Sequence, residues 1–108
     1  MKLKCLLFLS PLFLTFANAE ENKADCLILE DENSIICKYS HVRISSDKNI
    51  TIHWIEPDGT TTRTREMTIP AYHASVYDYR YIEGRTKGKW TFKVLDNEDE
   101  YTTTFIVK

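Results

Sequence analysis

Glycine, proline and cysteine each occur only three times in 108 residues. So few glycines exclude a glycine-rich phosphate loop, and no serine stands in a nucleophile-elbow setting. A basic excess is also missing: 14 Lys and Arg stand against 16 Asp and Glu, a net charge of −2. Nucleic-acid surfaces normally show as a basic stripe, so nucleic acid is not an expected partner. The single dense basic run, "RTKGK" at 85–89, reads as a solvated loop. No window carries a convincing amphipathic helix, and "AYHAS" at 71–75 is one helical turn at most.

What is there begins with an address. Lys2 and Lys4 precede an apolar run from Leu6 to Phe16, and "ANA" stands before Glu20. This is the pattern of a secretory signal peptide, residues 1–19, cleaved after Ala19. The charge-free stretch from Cys5 to Ala19 is shorter than the roughly 17 to 25 residues of a spanning helix, so no membrane anchor is expected after cleavage. Cys5 precedes the apolar run and is not placed like a lipid-modified cysteine. The expected location is exported, either periplasmic or secreted. Residues 20–108 then form a single domain, in which 12 basic residues face 16 acidic ones, for a net charge of about −4.

A domain this small buries too little surface to be comfortably stable, so a covalent staple is expected. Cys26 and Cys37 supply it. If "CLILE" and "SIICKY" form a hairpin around "EDEN", the register that pairs Glu30 with Asn33 also sets Cys26 opposite Cys37. Ten intervening residues suit neither a redox pair nor a compact zinc knuckle.

The remainder reads as strands. Ile50, Ile52 and Trp54 alternate with Thr51 and His53; Trp90, Phe92 and Val94 alternate with Thr91 and Lys93; Tyr101, Thr103, Phe105 and Val107 close the pattern. Turn chemistry separates the runs at "SSDKN", "PDG", "EGRTKG" and "DNEDE". The expected fold is all-β, a single antiparallel β-sandwich of about seven strands, with Trp54 and Trp90 in its core.

Two stretches are candidates for recognition. "TTTRTREMT" is too polar for a central strand, so Thr62, Arg63, Arg65 and Glu66 mark an edge. Such an edge either accepts a partner's strand or uses its charges only to prevent aggregation. Tyr77, Tyr79 and Tyr81 form a row on one strand face. Alternation favours the tyrosines inward, because Asp78 and Arg80 then face water. If Val76 and Ile82 mark the inward face instead, the row is an exposed aromatic strip of the type that binds protein or glycan partners.

The tryptophan followed by "PDG", with "GKWTFKVLD" and "YTTTFIVK" as a closing hairpin, resembles the immunoglobulin-like sandwiches of small exported bacterial proteins. The resemblance implies that Trp54 is the core tryptophan and that Trp90 to Val94 is the penultimate strand. Antibody-type domains join their sheets through widely separated cysteines, whereas Cys26 and Cys37 are close in sequence and no cysteine lies near Trp90.

Catalytic residues and cofactors are not expected. Glu56 with Asp58, and Asp96 with Glu98, read as solvated turns, not as acid and base. His41, His53, His73 and Met67 lack close ligand spacing, so they read as lone surface groups and no metal is expected. "NIT" at Asn49 is a glycosylation acceptor only in a eukaryotic secretory pathway. The function expected is a non-enzymatic protein-binding or adaptor module of the cell envelope, with a secreted inhibitor or effector as the alternative.

Overall fold

A computed structural model describes residues 22–108, so the expected leader, with Cys5, lies outside the described residues. Seven strands follow one another: β1 (Lys23–Leu29), β2 (Ser34–Ser40), β3 (Lys48–Ile55), β4 (Thr61–Ile69), β5 (Ser75–Tyr81), β6 (Gly88–Asp96) and β7 (Asp99–Val107). They form two antiparallel sheets, one of three strands in the order β1-β2-β5 and one of four in the order β4-β3-β6-β7. The architecture is an all-β sandwich.

Period-two patterning explains which faces meet. Ile35, Cys37 and Tyr39 from one sheet, and Ile50, Ile52, Trp54, Trp90, Phe92, Val94, Phe105 and Val107 from the other, are buried in one cluster. Burying each large apolar side chain of this kind stabilises the fold by roughly 1.5 to 3 kcal/mol. Trp54 sits at the centre, edge-on to Phe92 and Phe105 at ring separations of 5.5 and 5.8 Å. Both tryptophans occupy the faces expected of them.

The turns follow backbone chemistry. A short 3₁₀ turn, Glu30–Glu32, joins β1 to β2 and ends on Asn33 in the left-handed region, with Asn33 N–H donating to the Glu30 carbonyl. β6 and β7 pair until Asp96 meets Asp99, leaving a two-residue turn with Asn97 at φ 59°. "DNEDE" is thus mostly strand. Gly88 opens β6 at φ 128°, and a Cβ there would lie 2.9 Å from Pro57 Cγ, so this position requires glycine on two grounds. "AYHAS" contains a turn at 71–72 and no helix.

The β1–β2 register places Cys26 directly opposite Cys37, with Cα atoms 4.1 Å apart and the disulfide formed between them. The bridge therefore lies within one sheet. A disulfide accords with an oxidising compartment. Among the described residues no helix is long and apolar enough to cross a membrane.

Candidate recognition surface on β4 and β5

The tyrosines of β5 point the other way from the alternation argument. Tyr77, Tyr79 and Tyr81 are each more than half exposed, while Asp78 is buried and Arg80 is turned inward. Compensation from neighbouring strands explains the reversal. Asp78 accepts a hydrogen bond from Trp54 Nε1 at 2.9 Å and is paired with Arg65 at 2.5 Å and Arg63 at 3.3 Å. Arg80 lies over the Trp54 and Trp90 rings, 5.4 and 5.9 Å from their centroids, and donates to Thr62 Oγ1. A buried charge is tolerated when it is paired and hydrogen-bonded, and Asp78 meets that condition from partners that local patterning does not reveal, while the half-buried Arg80 is held by the two indole rings and the Thr62 hydroxyl. One local signal did exist: aspartate is depleted in strand interiors, so a lone Asp between tyrosines is anomalous there.

With the tyrosines outward, the register builds a continuous outer surface on the three-stranded sheet. Leu27, Ile36 and Tyr79 form one cross-strand row; Asp25, Lys38 and Tyr77 form the next, and Leu29, Ser34 and Tyr81 the third. Leu27 is also largely exposed, and the Tyr79 and Tyr81 rings meet edge-on at 6.2 Å. The outer surface of the four-stranded sheet is different in kind. Its paired positions include Thr51 with Glu66, His53 with Thr64 and Lys93, Thr91 with Thr104, and Lys93 with Thr102. One broad face is aromatic and aliphatic, and the other is dominated by threonine and charge.

Among the described residues β4 is an edge strand, hydrogen-bonded to β3 alone. Its four candidate residues divide between faces. Arg63 and Arg65 stand opposite Trp54 and Ile52 in the register and reach inward to Asp78, whereas Glu66 is exposed on the outer face beside Thr51. Thr62 lies at a bulge opposite Trp54 and Ile55, where its hydroxyl donates to the Trp54 carbonyl at 3.3 Å. Inward-pointing charges on an edge discourage uncontrolled pairing. Between β4 and β5 runs a groove of about 510 Å³ lined by Arg63, Arg65, Met67, Arg80, Arg85 and residues 77–81.

Two other polar groups belong to the core and not to the surface expected of them. Asp96 is buried, accepting from the Tyr39 hydroxyl at 2.7 Å and from Lys48 Nζ at 2.8 Å. Burial alone would raise its pKa, but the bonds from Lys48 and Tyr39 outweigh that and hold the carboxyl below its ordinary range. Burial, reinforced by the Asp96 charge, pushes the Tyr39 hydroxyl well above its ordinary value. A carboxylate depressed in the folded state stabilises the fold above its unfolded value and loses that contribution as pH falls through the folded one. Asp96→Asn should therefore lower stability at pH 7 by about 1 to 3 kcal/mol and make the loss of stability below roughly pH 4 shallower. Urea midpoints measured from pH 7 to pH 2 check both effects; an unchanged acid limb would remove Asp96 as its source.

His41 is also buried, its Nε2 3.1 Å from the His73 carbonyl, while His53 is half-buried with Nδ1 2.9 Å from Thr64 Oγ1. Among the described residues no group of three or more His, Cys, Asp or Glu is placed to hold a metal ion. Comparison with known proteins finds no family model that matches the chain and no curated protein that matches it.

Proposed function

We propose that this is a small exported, non-enzymatic protein of the cell envelope that acts by binding another protein, with the outer face of the three-stranded sheet as its contact surface. One observation carries the reading: Tyr77, Tyr79 and Tyr81 are exposed together beside Leu27 and Ile36, on a face that no other part of the described chain covers. Tyrosine offers large contact area at low conformational cost and is enriched at interface centres. The opposite, threonine-rich face has the composition of ordinary solvated sheet. The strand grouping also supports kinship with immunoglobulin-like sandwiches, with β4 beside β3 instead of β5. An inhibitor that fills an enzyme's cleft would need a long projecting loop, and the longest connection between strands here spans only 41–47.

The test is positional. A photo-crosslinking amino acid at Tyr79 should capture a protein in the native compartment, and the same group at Thr104, on the opposite face, should not. Tyr79→Ser should abolish the adduct formed from a crosslinker at Tyr77 while changing stability by less than about 0.5 kcal/mol, as for an exposed site. Equal adducts from both faces, or none from Tyr79, would reject this surface.

A further inference from the structure

The two sheets do not match in width. Four strands face three, and at one side β1 packs on β7 while at the other β5 meets β4 only slightly. The inner face of β4 consequently overhangs: Ile69 is buried, but Arg63 and Met67 are half-buried and Arg65 is exposed. Among the described residues β5 is bonded to β2 alone, which leaves its other edge without a backbone partner there, and Arg63 Nη1 donates to the Tyr79 carbonyl at 3.4 Å.

The groove over this overhang has an unusual charge. Four of the five arginines in the chain line it, although the protein as a whole is acidic. Arg63 and Arg65 share Asp78. Among the described residues Arg80 has no carboxylate within hydrogen-bonding distance, and the buried Arg85 Nε has no hydrogen-bond partner. Burial first, then the Arg85 and Arg63 charges, pull the Arg80 guanidinium below its ordinary pKa, and the second of these contributions is one that an incoming anion would offset. Arginine, unlike lysine, presents a planar fork that fits a carboxylate.

We propose that an extended acidic segment of the partner protein adds to β5 as a fourth strand, its carboxylates over the arginines of the groove and its intervening apolar side chains beside the tyrosines. The geometry dictates that alternation. Side chains on an added strand point alternately to the two faces of its sheet. One set falls over the inner face of β4, where the arginines are, and the other continues the Leu27, Ile36, Tyr79 row. The recognised pattern is therefore acidic and apolar residues in strict alternation over about five to seven positions, the length of β5. This rests on the protein-binding reading above and specifies the chemistry of the segment bound.

The probe is a capped octapeptide of alternating Glu and Val, titrated into the folded protein and followed by amide NMR and tryptophan fluorescence. Saturable binding is expected, with new hydrogen-exchange protection at alternate β5 amides. A Lys-Val octapeptide and a block peptide of four Glu and four Val should each bind at least tenfold more weakly. Arg85→Gln should weaken the alternating peptide about tenfold, the size of one charge-assisted pair; among the described residues Arg85 bonds no buried carboxylate, so this variant should keep the fold. Arg65→Gln, which leaves Arg63 on Asp78, should do the same. No binding at millimolar peptide, equal binding of the block peptide, or unprotected β5 amides would overturn the added strand. Tighter binding of a sulfated oligosaccharide would make the groove a glycan site and overturn it too. Crosslinking from Tyr79 that persists while the peptide fails would leave the tyrosine face standing and remove only the strand.

Discussion

Asp78→Ala is expected to destabilise the protein by about 3 kcal/mol, lowering the melting temperature by roughly 12 to 24 °C for a domain of this size. The carboxylate is 4% exposed and meets three donors at once: Trp54 Nε1, Arg65 and Arg63. Without it the indole N–H is buried and unpaired, which costs about 1 to 3 kcal/mol by itself. The arginines add less than a fully buried pair would, because their side chains are 35% and 49% exposed and water replaces part of what they lose. Asp78→Asn keeps an acceptor for Trp54 and should fall between wild type and Asp78→Ala. Urea denaturation of the three proteins gives the order. A near-neutral Asp78→Ala would mean that the indole finds another acceptor and that the arginines do not tie β4 to β5.

Reduction of the Cys26–Cys37 disulfide is expected to cost a similar amount. Closing a loop with a sequence separation of 11 removes about 3 kcal/mol of unfolded-state entropy in the chain-entropy model. The double variant Cys26→Ala with Cys37→Ala should lose at least as much, since Cys37 is fully buried and its replacement leaves space in the core. Thermal melts with and without reductant check this. A shift of only a degree or two would show that the β1–β2 hairpin is already formed in the unfolded ensemble.

The contrast between these two sites explains what the sequence could reveal. The cysteine pairing follows from one hairpin, whose register is set by a turn a few residues away, so local reading suffices. The faces of β3 and β6 are equally legible because the large apolar residues around Trp54 and Trp90 alternate with polar ones, Thr51 and His53 on β3 and Thr91 and Lys93 on β6, that lie on the opposite face. β5 reads inside out, since the groups that make Asp78 tolerable inside arrive from β3 and β4, 13 to 24 residues away along the chain. Asp96 reads as a solvated turn for the same reason, because the Lys48 and Tyr39 that hold it inside are 48 and 57 residues distant. Patterning ranks tyrosine above aspartate for burial unless something neutralises the charge, and neutralisation here is a tertiary property. The edge position of β4 was readable from its polarity, whereas the inward reach of Arg63 and Arg65 depended on knowing what they meet.

Placing the disulfide inside one sheet instead of between the two has a mechanical consequence. A pull applied at the N-terminal end of β1 can straighten only the residues before Cys26; beyond that the force passes across the bridge to Cys37 on β2, the central strand of its sheet. The loop from Cys26 to Cys37, a sequence separation of 11, stays closed however far the rest of the chain is drawn out, withholding about 35 Å of contour length. The two sheets, by contrast, have no covalent tie other than the chain itself and part as soon as their packing yields. Tension therefore strips the four-stranded sheet away while the bridged hairpin survives as a knot in the extended chain.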